Sequence, residues 1–461
     1  MSVVGAVILP HPPALLPEVG RGQEQELAKT AASFEEAAAR LAQWAPDTLI
    51  FFTPHSVAYQ DYFHISPGKH ASGSFVQFGT PSLALEADYD QELVDRICVH
   101  TREAMIPAGT FGEQDPALDH GVMVPLYFIQ KKLPGCPIVR IGLSGMTPLD
   151  HYRLGKCVAA AAEDLGRRVA VVASGDLSHR LKEDGPYGFA PQGPEFDRQA
   201  ALAMEQGDFL SFLTMDDTLC MEAAQCGLCA FQMMAGVLDG IAVKPELLSY
   251  EGPFGVGYAA AVFTPAGADE SRRLDEAYLA AMRERNAARR AAEDDYVRLA
   301  RQTLEQYVET GRQMELPPEL PDVFRETKAG AFVSLHQWGR LRGCIGTIYP
   351  AARSLGEEII RNAISAGSSD SRFPPVRKEE LETLTYSVDV LGVPETIFNR
   401  EDLDPKRYGV IVTSGRRRGV LLPNLEGVET VEQQLEIACQ KAGIEPDSQY
   451  SMERFEVVRH E

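Results

Sequence analysis

Three apolar runs in the first half of the chain lack the alternation of a strand with one wet face. Val3–Pro10 (VVGAVILP), Thr48–Pro54 (TLIFFTP) and Val169–Ala173 (VAVVA) therefore each predict a strand buried on both faces of a sheet. Each run passes through turn residues to a histidine: His11, His55 and, after Ser174-Gly175-Asp176, His179. Ligands of open α/β sheets bind beyond the carboxyl ends of the strands, so the three imidazoles are expected to converge. Between the first two runs the period becomes helical, with Leu27, Phe34, Leu41 and Trp44 on one face of Gln23–Trp44. A strand–helix–strand unit of this kind implies parallel pairing.

The pattern continues with an alternating, Gly/Ser/Phe-rich stretch, Tyr59–Leu85, which predicts antiparallel strands or a hairpin able to wall a pocket. Asp90–Arg102 predicts a helix. Leu118-Asp119-His120-Gly121 stands before a helical Val122–Lys132, placing an imidazole at a helix start with a carboxylate beside it to fix its tautomer. Pro137–Leu143 predicts a strand, and His151–Leu165 and Phe196–Leu213 predict helices. The segment Cys220–Gly227 opens an apolar helix to Leu238, and Ser249–Thr264 predicts a last strand. Residues 1–265 read as one α/β domain with a mostly parallel sheet flanked by helices.

Residues 266–292 change character, being rich in Arg, Glu and Ala, and read as a charged, partly helical linker. Tyr296, Leu299, Leu304 and Tyr307 mark the first helix of a smaller domain, 293–461. There Gly330–Leu335, Arg340–Gly346, Thr383–Leu391 and a Val410–Leu422 hairpin around Ser414-Gly415 mix with helices Leu355–Ala366 and Val431–Ala442, so an α+β fold is expected.

Length and composition narrow the function. The chain has 461 residues, 44% hydrophobic and 24% charged, which suits two globular domains. A formal net charge of −22 argues against a nucleic-acid or anionic-membrane surface. No apolar run approaches a membrane span, and the apolar start has no preceding Lys or Arg and is followed by Pro10, Pro12, Pro13 and Pro17, unlike a signal peptide. The eight scattered cysteines read as reduced thiols of a cytoplasmic protein. Cys226-Gly-Leu-Cys229 has redox or zinc spacing, but without a second such pair the core-thiol reading is preferred.

The first domain thus offers His11, His55, His120, His179 and Glu222 in strand-end or helix-start settings. Two imidazoles and one carboxylate on one face of a metal are the pattern of non-haem Fe(II) sites, with further histidines serving as acid and base. Taken alone, Glu222 reads either as a helix N-terminal charge or as a ligand or acid–base group.

The ordered segments Pro10-His11-Pro12-Pro13, Thr53-Pro54-His55-Ser56, Leu118–Gly121, Ser174–His179 and Glu222–Gly227 resemble the motifs of class III extradiol ring-cleavage dioxygenases, with which Memo proteins share a fold. Leu341–Gly346, Asp370–Val376 and Gly419–Asn424 are similar to stretches of the AMMECR family. The whole chain looks like the fused proteins of the AmmeMemoRadiSam system, a resemblance that implies a radical-SAM partner and leaves room for a homo-oligomer. Carried over by position, the resemblance makes His11, His55 and Glu222 ligands of Fe(II), with Zn²⁺ or copper as alternatives. It makes His179 the acid–base residue and His120 a pocket residue. The implied reaction is ring cleavage of a small aromatic diol by O₂; the alternative is a Memo-like metal-binding scaffold without turnover. In the second domain Arg342 and Cys344 read either as parts of a tight buried turn or as an anion partner and a reactive thiol.

Overall fold

The structure is a computed structural model describing residues 2–461 apart from 115, 116, 338, 339, 426, 446 and 447, and only the backbone of Arg340. The chain forms two compact units, residues 1–281 and 282–461. In the first, the strands are β1 (Val3–Leu9), β2 (Thr48–Thr53), the hairpin pair β3 (His70–Phe75) and β4 (Thr80–Asp88), β5 (Ile138–Gly142), β6 (Val169–Ser174), β7 (Ile241–Glu251) and β8 (Tyr258–Ala268). Its helices are α1 (Ala28–Trp44), α2 (Gln91–Glu103), α3 (His120–Ile129), α4 (Pro148–Asp164), α5 (Gln192–Gln206), α6 (Phe209–Thr214), α7 (Asp217–Glu222), α8 (Leu228–Val237) and α9 (Asp275–Ala292), the last running on past residue 281.

Six strands make the main sheet, in the order β5-β2-β6-β1-β8-β7. The first four are parallel, and β8 and β7 add an antiparallel edge. Every residue of β2 and β6 is buried, as their continuous apolar runs require of strands covered on both faces. One face packs Val7, Phe51 and Val172 against Phe34 and Leu41 of α1 and Leu126 of α3. On the other, α8 crosses β6, β2 and β1 and packs closely on α4. The hairpin β3–β4 is antiparallel, as its alternation predicts.

Several boundaries differ from the sequence reading. Ser249–Thr264 is the middle of an antiparallel pair, β7 and β8, turning through Gly252–Gly257 rather than one strand. The apolar helix expected from Cys220 is broken: α7 ends at Glu222, Ala224 takes a left-handed backbone (φ 52°), and α8 starts at Leu228. Within 266–292, β8 continues to Ala268 and α9 begins at Asp275, with Tyr278 fully buried. Among the described residues no helix is long and apolar enough to cross a membrane.

In the second unit an antiparallel sheet holds β9 (Ala331–Gln337), β10 (Arg340–Gly346), β11 (Leu384–Leu391), β12 (Glu395–Ile397), β13 (Tyr408–Ser414), β14 (Arg417–Leu421) and β15 (Ser451–His460). Its order is β10-β9-β11-β15-β13-β14, with β12 also paired to β15. Helices α10 (Asp295–Thr310) and α11 (Leu355–Ser368) cover a core around Val333, Leu335 and Val388, and α12 (Val431–Ala442) covers Val410, Val412 and Leu421. The sequence reading contains no counterpart of β15, although it is the strand that joins the two halves of this sheet.

Candidate metal centre

Parallel pairing places the carboxyl ends of β1, β6 and β2 side by side, with β6 in the middle. His11 follows β1 and His55 follows β2, so their rings approach across the end of β6. His11 Nε2 and His55 Nε2 are 2.9 Å apart. The ring of His120, from the start of α3, stacks on His55 with centroids 3.9 Å apart and lies 5.3 Å from His11.

The end of β6 fixes the ring of His11. Ser174 donates its hydroxyl proton to the Gly121 carbonyl at 2.6 Å, so at the 3.0 Å contact with His11 Nδ1 it must accept. The Nδ1 proton of His11 is thereby assigned, and Nε2 carries the lone pair that faces His55. Asp176 accepts from the His11 backbone N–H at 2.8 Å, and its other oxygen lies 3.8 Å from His11 Nε2.

Cys226 completes the group. Its sulfur lies 3.7 Å from His11 Nε2 and accepts from the Asp176 N–H at 3.3 Å. The nitrogens of His11 and His55 and the sulfur of Cys226 all lie within 4.8 Å of one another, the donor spacing of a metal site. Two glycines make the approach possible: a Cβ on Gly175 would fall 2.1 Å from the Cα of Gly227. The two loops are then tied by backbone, with Gly227 N–H donating to Asp176 C=O at 3.1 Å and His179 N–H to Ala223 C=O at 3.1 Å.

Glu222 is not brought to this group. It ends α7 with its side chain 40% exposed and pairs with Arg180 at 3.7 Å. The turn at Ala224 reverses the chain between the two residues, directing Cys226 inward and leaving Glu222 at the rim. The structure thus brings the Cys226 thiol, and not the Glu222 carboxylate, to the two imidazoles. Sequence reasoning had the signal in Cys226-Gly-Leu-Cys229 but assigned those sulfurs to the core.

His179 is held by its backbone neighbours. Its Nδ1–H donates to the carbonyl of Ala224, which leaves Nε2 as the lone-pair nitrogen, and the ring of Tyr187 lies 5.2 Å away. Asp197 supports this loop, accepting from Ser178 N–H and the Tyr250 hydroxyl, each at 2.7 Å. Phe78, between β3 and β4, sits 5.4 Å from the His120 ring. Asp119 does not fix the His120 tautomer as expected: it takes Thr53 Oγ1 at 2.6 Å, caps α3 at Val122 N–H and faces the buried Arg140 at 3.5 Å.

The electrostatics favour a cation. Burial, reinforced by the neighbouring His55 and His179, holds His11 well below the usual imidazole range. Burial with His55 and His11 brings His120 down to about 3, and burial also lowers His55. Three rings are thus neutral donors at pH 7. Burial raises Asp176 to about 6 and pushes the Cys226 thiol well up, a cost that a bound cation would relieve.

In the second unit, of the two readings left open for Arg342, it has an internal anion partner: its guanidinium donates to both oxygens of Glu380 at 2.7 and 3.1 Å. Cys344 is clamped by its neighbours, its N–H donating to Asp370 at 2.9 Å, its carbonyl accepting from Arg372, and its sulfur accepting from Ser334 at 3.2 Å.

Comparison with known proteins gives a domain-by-domain match. Residues 5–263 match the family model described as the catalytic LigB subunit of aromatic ring-opening dioxygenase, and residues 297–460 match AMMECR1. A protein of Clostridium acetobutylicum, CA_C1420, is 43% identical over all of this chain and 99% of its own. A Thermotoga maritima protein is 48% identical over 36% of this chain and 98% of its own. Among solved structures, uncharacterized PH0010 of Pyrococcus horikoshii is 36% identical, covering 36% of this chain and 88% of its own at a TM-score of 0.33. Uncharacterized JW3007 of Escherichia coli K12 is 15% identical, covering 56% of this chain and 99% of its own at a TM-score of 0.39.

Proposed function

We propose, for a chain that belongs through residues 5–263 to the LigB family of aromatic ring-opening dioxygenase subunits and through 297–460 to the AMMECR1 family, that the first unit is a metal-dependent enzyme of the thiophilic kind, acting on a small hydroxylated aromatic. The observation that carries this is the meeting of two imidazole nitrogens and the Cys226 sulfur within 4.8 Å. A His₂Cys set fits Cu(I) or Zn²⁺ better than Fe(II), because thiolate selects soft ions. His11, His55 and Cys226 would hold the ion, which when bound supplies Lewis acidity and, for copper, one-electron redox chemistry.

The chain's own groups do the rest. His179 Nε2 is free to accept the proton of a substrate hydroxyl, because its other nitrogen is committed to Ala224. Tyr187 beside His179 and Phe78 beside His120 supply aromatic faces suited to a ring substrate. Asp176 and Ser174 keep His11 in one tautomer and orientation, as supports of metal ligands do.

A second reading has one observation in its favour. The buried carboxylate of Asp176 lies 3.8 Å from His11 Nε2, so His11, His55 and Asp176 would give the two-imidazole, one-carboxylate set of Fe(II) oxygenases and O₂-dependent ring opening of an ortho-diphenol. Protein purified without air and titrated competitively with Cu(I), Zn²⁺ and Fe(II) separates the two. Preference for copper or zinc that disappears in Cys226→Ser supports the first reading. Preference for iron, with O₂ uptake and a yellow ring-fission product from a catechol panel, replaces it with the second, and failure to bind any of the three ions refutes both.

A further inference from the structure

The metal centre uses only one sulfur of Cys226-Gly-Leu-Cys229. Gly227 caps α8, so Cys226 stands immediately before the helix and Cys229 in its first turn. Gly227 itself has a helical backbone (φ −90°, ψ −27°), so the three-residue spacing puts both cysteines on one side of the helix start.

Cys229 also has a neighbour of its own. His151 of α4 is fully buried, its Nδ1–H donates to the Thr147 carbonyl at 2.9 Å, and the Cys229 sulfur lies against the ring. With Nδ1 committed, the other ring nitrogen is the one left to the sulfur. None of the eight cysteines is in a disulfide in this structure. A helix-start dithiol with an imidazole behind the second sulfur is the arrangement that suits reversible thiol–disulfide exchange.

We propose that Cys226 and Cys229 form a reversible disulfide with a low-molecular-weight disulfide, RSSR, as oxidant, so that the metal centre assembles only in the reduced protein. The proposal rests on the reading of Cys226 as a ligand. Cys229 attacks one sulfur of RSSR, forming the mixed disulfide and releasing RS⁻; the proton of Cys229, passed to His151, ends on that leaving thiolate. Cys226 then attacks the Cys229 sulfur, closing the protein disulfide and releasing a second RSH. Two protein thiols are oxidised, one small disulfide is reduced, and two protons leave on two RSH. The closed disulfide has no thiolate to offer, so His11 and His55 lose their third donor.

The test uses the full-length, metal-free protein in graded mixtures of glutathione and glutathione disulfide, with alkylation of remaining thiols and mass mapping of peptides. The expected result is that Cys226 and Cys229 lose alkylation together, with a loss of two hydrogens from their common peptide, and regain it on reduction. One equivalent of Zn²⁺ should slow this roughly tenfold or more, because the ion binds only the open form. Cys229→Ser should leave Cys226 alkylatable and Zn²⁺ affinity as in the parent. Persistence of both thiols in mixtures that oxidise an unstructured CGLC peptide overturns the proposal, even when Zn²⁺ binding proves to need Cys226. If the disulfide forms equally fast with Zn²⁺ present, and Cys226→Ser binds Zn²⁺ like the parent, the ligand reading and the control over the metal fall, while the dithiol itself stands.

Discussion

Replacing Ser174 by alanine removes one oxygen from the floor of the candidate site, and the structure sets the size of the effect. That oxygen donates to the Gly121 carbonyl at 2.6 Å and accepts from His11 Nδ1–H at 3.0 Å, all in buried surroundings. The variant leaves both groups without that partner, and at about 1–3 kcal/mol for each unsatisfied group the folding free energy should fall by about 2–6 kcal/mol. The tautomer and aim of the His11 ring are released as well. Losing a support of this kind costs roughly 10–100-fold in metal affinity, equivalent to about 1.4–2.7 kcal/mol. Urea unfolding of the metal-free protein measures the first quantity, and Zn²⁺ competition against a chromogenic chelator measures the second. A folded Ser174→Ala protein that binds Zn²⁺ within twofold of the parent would refute the argument, since the His11 ring would then be either independently fixed or not a ligand.

Three further predictions follow from the same geometry. Cys226→Ala should lower Zn²⁺ affinity by more than tenfold while Glu222→Gln leaves it unchanged, because only Cys226 lies with the imidazoles; equal losses in the same titration would reinstate the carboxylate. For pH, folded His120 releases its proton at about 3 against 6.5 when unfolded, so its contribution is complete above pH 6.5 and is lost as pH falls toward 3. Asp176, raised to about 6, acts oppositely, contributing below the ordinary carboxylate range and losing that as pH rises through 6. With three lowered imidazoles at the site against two raised carboxylates, Asp176 and Asp197, the metal-free melting temperature should drop on acidification, less steeply in His120→Asn; a flat series would contradict this. Gly155→Ala would put a Cβ 2.0 Å from the Met233 carbonyl where α4 crosses α8, and should cost roughly 3 kcal/mol or more in denaturant unfolding; an unchanged midpoint would show that the crossing yields freely.

The sheet was legible because burial on both faces leaves a plain mark. Thr48–Phe52 and Val169–Ala173 could only be strands of a covered sheet, and strand ends then predicted where His11, His55 and His179 would stand. What pattern could not deliver was direction within loops. Glu222 and Cys226 are four residues apart, and the left-handed Ala224 between them decides which side chain turns inward; alanine gives no sign of such a backbone. The same holds for Asp119, whose partners Thr53 and Arg140 come from other strands. β15 escaped because four of the ten residues of SMERFEVVRH are charged, on a strand whose pairing, not its hydrophobicity, holds it in the sheet; Arg459 there meets Asp389 of β11 at 2.8 and 2.9 Å.

The position of β1 carries a consequence for how the chain is made. VVGAVIL is synthesised before every other strand of its sheet, yet its neighbours there are β6, from residue 169, and β8, from residue 258. A charge-free β-branched segment must therefore wait with both edges open until some 160 further residues have been joined, and with one edge open until some 250 have, at about 5–20 residues per second on the ribosome. During those seconds it has the composition of an aggregation-prone segment, with no charge within it and guarded only at its end by Pro10, Pro12 and Pro13. The residues that bring His11 into the site thus also make the nascent first unit a natural client for chaperones, and its yield should depend more on the rate of synthesis than on the stability of the finished fold.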